Sequence, residues 1–163
     1  MKSIRLNQIL FFLIAAAILA LSLAYIGQYF FSLRPCQLCL YERKPFFAII
    51  AFCTLILVFF KSKQSKKIAI FCSLIFLAIN ASIAIYHVGV EQKIFKIHDS
   101  CISTIQENYN SIEELKTLLE QAPLARCDEP DFFFLGLSMA AWNVFYCLGM
   151  LLISVVLWAR CRK

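Results

Sequence analysis

Four long runs without a single Asp, Glu, Lys or Arg divide this chain, and they constrain its fold more than any other feature. They cover Leu6–Leu33, Pro45–Phe60, Ile68–Val90 and Phe132–Ala159. A helix needs about 20 apolar residues to cross the hydrocarbon of a bilayer, and the first, third and fourth runs exceed that. The second has 16 residues, about 24 Å of helix. It spans if Lys44 and Lys61 extend their ammonium groups outward or if the bilayer thins locally. A chain of 163 residues with 16% charged cannot cover four such segments with soluble structure, since an ordinary soluble domain carries about 25% charged residues. The expected architecture is an all-α membrane protein, one domain folded as a four-transmembrane-helix bundle. Its spans are predicted at about 7–30, 45–60, 68–90 and 133–158. Lys2 and Arg5 precede the first run as in a signal peptide, but the run is longer than a signal h-region of roughly 7 to 15 residues. A retained first helix is expected.

The remaining charges orient the bundle. Segments 1–6, 61–67 and 159–163 share one side of a four-span topology, and they hold nine of the sixteen basic residues and no acidic ones. All ten acidic residues fall in the other two loops, about 31–44 and 91–132. Lys and Arg collect on the cytoplasmic side, so both termini and the lysine-rich connector Lys61-Ser62-Lys63-Gln64-Ser65-Lys66-Lys67 are expected there. The net charge of +6 then reports topology and not nucleic-acid binding. The sequence has no internal repeat, nucleotide-binding loop or Ser-His-Asp arrangement.

On that topology the eight cysteines separate. Cys53, Cys72 and Cys147 fall inside predicted helices and Cys161 in the cytoplasmic tail. Such cysteines pack as small apolar residues. Cys36, Cys39, Cys101 and Cys127 all lie in the two outer loops, an even number on the side where disulfides persist. The C-x-x-C spacing favours a Cys36–Cys39 pair, leaving Cys101–Cys127. A structural staple explains the second pair but not the first, because so small a ring adds little loop-closure stabilisation; C-x-x-C bridges are typically exchangeable, with one thiol acidified. A tetrahedral zinc site is disfavoured, since the second pair is 26 residues apart and an oxidising side removes free thiolates. Leu40 occupies the place where c-type haem attachment needs a histidine.

Around the C-x-x-C, Pro35 stiffens the approach to Cys36, and Pro45 fits the first turn of helix two or kinks it if the helix begins near Cys39. If residues 39–43 are helical, Arg43 lies one turn from Cys39 on the same face. There it favours the thiolate and can bond an oxygen of a flat acceptor. Tyr25, Tyr29 and Phe30 form an interfacial aromatic belt. In helix three, Asn80 reads as packing between helices. His87, near the outer end, can donate to an acceptor bound there. In the second outer loop, Ser111-Ile112-Glu113-Glu114 forms a capping box, and Ile112, Leu115, Leu118, Leu119 and Ala122 follow at helical spacing before Pro123. A short amphipathic helix on the membrane surface is predicted, with Cys101 before it and Cys127 after it.

These features resemble the DsbB family of bacterial inner-membrane thiol oxidases along almost the full length. The resemblance is carried by Pro35-Cys36-Gln37-Leu38-Cys39-Leu40-Tyr41-Glu42-Arg43, by Tyr86-His87-Val88-Gly89-Val90-Glu91, and by Cys127-Asp128-Glu129-Pro130 followed by Phe134-Leu135-Gly136-Leu137-Ser138-Met139. It implies a bacterial inner membrane, with the two outer loops periplasmic. It also implies a periplasmic DsbA-like, thioredoxin-fold partner whose dithiol attacks the Cys101–Cys127 bridge at Cys101. Electrons then pass from Cys127 to Cys36–Cys39, and from Cys39 to a quinone (ubiquinone or menaquinone) beside Arg43. No metal is implied. His87 and His98, the two histidines, are not assigned by spacing.

Two other readings remain. One is a non-enzymatic membrane scaffold with structural loop disulfides. The other is an oxidoreductase of the vitamin K epoxide reductase type, in which the C-x-x-C is expected late in the bundle, whereas here it precedes helix two.

Overall fold

The computed structural model describes residues 2–60, 62–95, 126–128, 130 and 132–162. Cys101, His98 and the amphipathic segment predicted from Ile112 to Ala122 lie outside the described residues. Among the described residues four helices make up the bundle: α1 (Lys2–Phe30), α2 (Gln37–Phe59), α3 (Lys63–Glu91) and α4 (Met139–Arg162). Between α3 and α4 comes a two-stranded hairpin, β1 (Phe133–Phe134) and β2 (Leu137–Ser138). α1 packs on α2, α2 on α3 and α3 on α4, while α1 also touches α3 and α4. The α2–α4 diagonal is the open one.

The bundle is organised by inward apolar side chains. Leu10, Leu13, Ile49, Cys53, Ile70, Leu77 and Cys147 are fully buried in one cluster. The outward face is equally apolar: Phe11, Leu19, Leu23, Phe71, Leu152 and Val156 are all exposed. A soluble protein does not expose such a continuous apolar surface; hydrocarbon makes it favourable. α1, α3 and α4 are each long and apolar enough to cross a membrane.

Two boundaries differ from expectation and one decides an open alternative, each for a local reason. Helix two starts at Gln37 and not near Pro45, which sits inside it. The Cys36 sulfur caps the start by accepting the backbone N–H of Cys39 at 3.2 Å. Pro45 then costs one ladder bond, leaving the carbonyl of Tyr41 without its i+4 donor. Helix three starts at Lys63, inside the predicted lysine connector, because Ser62 caps it by accepting from Gln64 N–H at 3.3 Å.

Helix four starts at Met139, six residues later than predicted. The apolar run from 133 conceals a hairpin whose turn residues Leu135 (φ 52°) and Gly136 (φ +79°) both take left-handed backbone, as a type I′ turn requires. The all-α description therefore needs this small sheet added. Ser138 ends the hairpin and caps α4, its Oγ accepting Ala141 N–H at 3.2 Å.

The outer end of α3 is also built locally. The Gly89 carbonyl accepts the N–H groups of Ile94 and Phe95, and the chain folds back so that Phe95 stacks on Tyr86 with ring centres 5.3 Å apart. A side chain at Gly89 would collide with the Phe95 ring. Asn80 is fully buried as expected, but its side chain finds no hydrogen-bond partner among the described residues, so it is not an interhelical hydrogen bond that holds it there.

Candidate active site

Because α2 begins immediately after Cys36, the C-x-x-C lies on its first turn. Cys36 is buried, and its sulfur hydrogen-bonds the Cys39 sulfur at 2.8 Å, both residues being thiols. Behind them, Cys127 is buried in the same apolar cluster with Cys36, Leu38 and Val90, and its side chain hydrogen-bonds Cys36. The structure thus brings together three of the four predicted redox cysteines. Next to Cys127, Asp128 accepts two bonds from Arg126, at 2.8 and 3.0 Å. That guanidinium holds the Asp128 carboxyl below the usual carboxylate range.

The two vicinal thiols differ. Hydrogen bonds with Cys127 and Cys39, together with burial, push the Cys36 thiol well above the ordinary range. Cys39 moves the other way: the hydrogen bond from Cys36 lowers it most, and the charge of His87 adds to this, against opposition from burial and from Glu42. Cys39 is therefore the thiol prepared to ionise, and Cys36 the one that keeps its proton.

A polar network inside the apolar bundle holds this arrangement. His87 Nδ1 donates to Glu42 Oε1 at 2.7 Å, and Asn143 Nδ2 donates to Glu42 Oε2 at 2.7 Å. Both carboxylate oxygens are thus engaged, and Glu42 bridges the open α2–α4 diagonal. The other imidazole nitrogen, Nε2, lies 3.4 Å from Cys36 Sγ and 3.8 Å from Glu91 Oε1. Ser138 Oγ donates to Glu91 Oε2 at 2.5 Å. Glu42, His87 and Ser138 are all buried. Carboxylate, imidazole and thiol stand in the order used by nucleophilic triads, with the carboxylate fixing the tautomer and orientation of the ring.

A cavity of about 750 Å³ opens in front of Cys39, within the size range of small-molecule sites. Its wall includes Gln28 from α1, Cys39 and Arg43 from α2, Glu91 from α3, and Trp142 and Phe145 from α4. Arg43 shares this wall with Cys39, but its guanidinium is bonded to Gln28 Oε1 at 2.7 Å and lies 4.9 Å from the Tyr25 ring centre. The cation acting on the Cys39 sulfur is His87. The Arg43 guanidinium itself turns toward α1.

Cys36, Cys39 and His87 place their ligand atoms within 4.8 Å of one another, a donor set that thiophilic metals also use. Two sulfurs on one tetrahedral ion would stand about 3.8 Å apart. The two sulfurs, 2.8 Å apart, stand closer than that.

Glu42, Glu91, Ser138 and Asn143 escaped the sequence reading, and His87 was seen without its partners. The available signals were weak. Asn143 and His87 are polar residues in charge-free runs, and Glu42 sits inside the cysteine motif.

The comparisons with known proteins agree with this geometry. The family described as Disulfide bond formation protein DsbB matches residues 6–157. An uncharacterized protein of Rickettsia prowazekii (strain Madrid E) is 31% identical over 93% of this chain and 88% of its own. Disulfide bond formation protein B of Xanthomonas euvesicatoria pv. vesicatoria is 29% identical over 99% of this chain and 94% of its own. The protein of the same name from Xanthomonas campestris pv. campestris is 30% identical over 91% and 86%. With a bundle suited to the membrane, an asymmetric vicinal thiol pair and a family match over nearly its whole length, the chain belongs to the DsbB family of disulfide bond formation proteins.

Proposed function

We propose that this protein is an inner-membrane dithiol oxidase. It re-oxidises a periplasmic thioredoxin-fold protein similar to DsbA and delivers the electrons to a membrane quinone. The observation that carries this reading is the contiguous set of sulfurs, Cys127 on Cys36 and Cys36 on Cys39, all three lining the cavity.

The steps follow from thiol–disulfide exchange. The partner's thiolate attacks Cys101 of a Cys101–Cys127 disulfide and forms a mixed disulfide. Cys127 leaves as thiolate. The partner's second thiol resolves the mixed disulfide and departs oxidised. Cys127 shares a buried cluster with Cys36 and hydrogen-bonds it, so its attack on a Cys36–Cys39 disulfide is assigned to Cys36 and expels Cys39. That direction is favourable because a low-pKa thiol leaves faster, and Cys39 is the acidified one. Cys101 then exchanges with the Cys127–Cys36 bond, which restores Cys101–Cys127 and leaves a Cys36/Cys39 dithiol. A quinone in the cavity accepts two electrons and two protons as that dithiol closes again.

The cavity suits such a group. Its lining is largely apolar, and Arg43 and Gln28 offer polar contacts for ring oxygens. Four spans are proposed, with α2 crossing through its apolar part, Pro45 to Phe59, and with both termini and the lysine-rich connector cytoplasmic. The test is to supply the purified, reconstituted protein with a reduced thioredoxin-fold dithiol protein and a water-soluble quinone. Catalytic loss of quinone absorbance is expected. Thiol oxidation without quinone consumption would contradict the proposal.

A further inference from the structure

Closing a dithiol to a disulfide releases two protons, and the buried site has to move both. Cys36–SH plus Cys39–SH becomes Cys36–S–S–Cys39; two electrons leave to the quinone named above, and two protons leave the sulfurs. Among the described residues one imidazole faces the pair, and a neutral imidazole holds one extra proton. Both Glu42 oxygens are already engaged, accepting from His87 and Asn143.

Among the described residues, Glu91 is the further base beside His87. Its Oε1 lies 3.8 Å from His87 Nε2, its Oε2 is held by Ser138, and the residue also lines the cavity that Cys39 faces. We propose that Glu91, oriented by Ser138, is the proton carrier of this site: it takes the Cys39 proton from His87, which frees the imidazole to accept the Cys36 proton as the disulfide closes. Each proton therefore passes through Nε2 to Glu91 in turn, and Glu91 hands each to the reduced acceptor or to water at the cavity, which returns His87 to its neutral form. Glu42 and Asn143 are positioning residues that keep the Nδ1 proton in place and aim Nε2 at both partners. The titratable groups around Glu91 are His87 on its own helix, Glu42 and Cys39 on α2, and Cys127 on the following segment. Arg34, Arg43 and Arg126 stand on the same cavity wall.

This inference rests on the quinone-reductase reading, and the experiment separates the two. Full-length protein in lipid is assayed with a reduced thioredoxin-fold partner and a soluble quinone, comparing wild type with Glu91→Gln, Glu91→Ala and Ser138→Ala. Gln keeps the shape and can still accept from Ser138, so folding is preserved. Glu91→Gln is expected to slow quinone reduction about 100-fold, in the range of a lost general acid–base group, and to raise the solvent deuterium isotope effect. Formate should partly restore Glu91→Ala, and Ser138→Ala should show a smaller loss in the same direction. In quinone-free protein, the infrared difference between dithiol and disulfide forms should contain a carboxyl signal that Glu91→Gln removes. Wild-type rate and isotope effect in Glu91→Gln, or a difference spectrum unaltered by it, would overturn the carrier role. A wild-type protein that reduces no quinone would instead refute the underlying function.

Discussion

Replacing Cys36 with Ala should raise the pKa of Cys39, because the structure attributes the acidity of Cys39 chiefly to one hydrogen bond. In the folded protein the Cys36 thiol donates to the Cys39 sulfur at 2.8 Å, and this contact is the largest influence lowering the Cys39 pKa. A hydrogen bond to a charged group contributes about 1.5–3 kcal/mol. Losing that contribution in Cys36→Ala should move Cys39 upward, toward the ordinary thiol range. The sign follows from the thiolate being the stabilised form. Wild-type Cys39 stays ionised below the ordinary thiol range near pH 8.5 and loses that advantage as the pH falls through its own depressed value. In the variant the ionised fraction at neutral pH falls. The assay is the pH dependence of alkylation of the reduced, quinone-free protein, with mass spectrometry reading Cys39 alone. Cys36→Ser should lie between the two, since its hydroxyl still donates and still caps α2. An alkylation profile of Cys36→Ala that coincides with wild type would refute the assignment of Cys39 acidity to Cys36.

Two further substitutions test other parts of the site. Arg43→Ala removes the Gln28 bond and the contact with Tyr25; it should raise the apparent KM for quinone severalfold while leaving that for the thiol partner nearly unchanged, as read from separate titrations of each substrate. Asn143→Ala leaves one oxygen of the buried Glu42 carboxylate unbonded; at about 1–3 kcal/mol for an orphaned buried group, thermal unfolding in detergent should drop by several degrees.

The bundle was legible in the sequence because charge-free runs report hydrocarbon directly. The redox loop was legible because C-x-x-C is a local motif. What stayed hidden depended either on a contest between local signals or on contacts between distant segments. Pro45 was compatible with a helix start on either side, and a sulfur cap at Cys36 decided it. Inside the run 132–159, Phe, Leu and Met fit helix or strand alike, so only Gly136 and Ser138 marked the hairpin. The Glu42–His87–Asn143 network joins residues from three helices, and no spacing along the chain encodes which polar residues of a bundle will meet. Arg43 shows the same limit in reverse. Helical periodicity correctly set it one turn beyond Cys39, but the rotamer that turns it toward Gln28 and Tyr25 is a property of the α1–α2 interface.

The central claim is that electrons pass through two cysteine pairs to a quinone, with Cys39 last. It is tested most directly by quinone-reduction kinetics of Cys36→Ser, Cys39→Ser, Cys101→Ser and Cys127→Ser, each reconstituted with a reduced thioredoxin-fold partner. The account predicts that turnover is abolished in all four, and that chemically reduced Cys101→Ser and Cys127→Ser still reduce one equivalent of quinone in a single turnover from the intact Cys36–Cys39 dithiol. Full turnover in Cys39→Ser would contradict it.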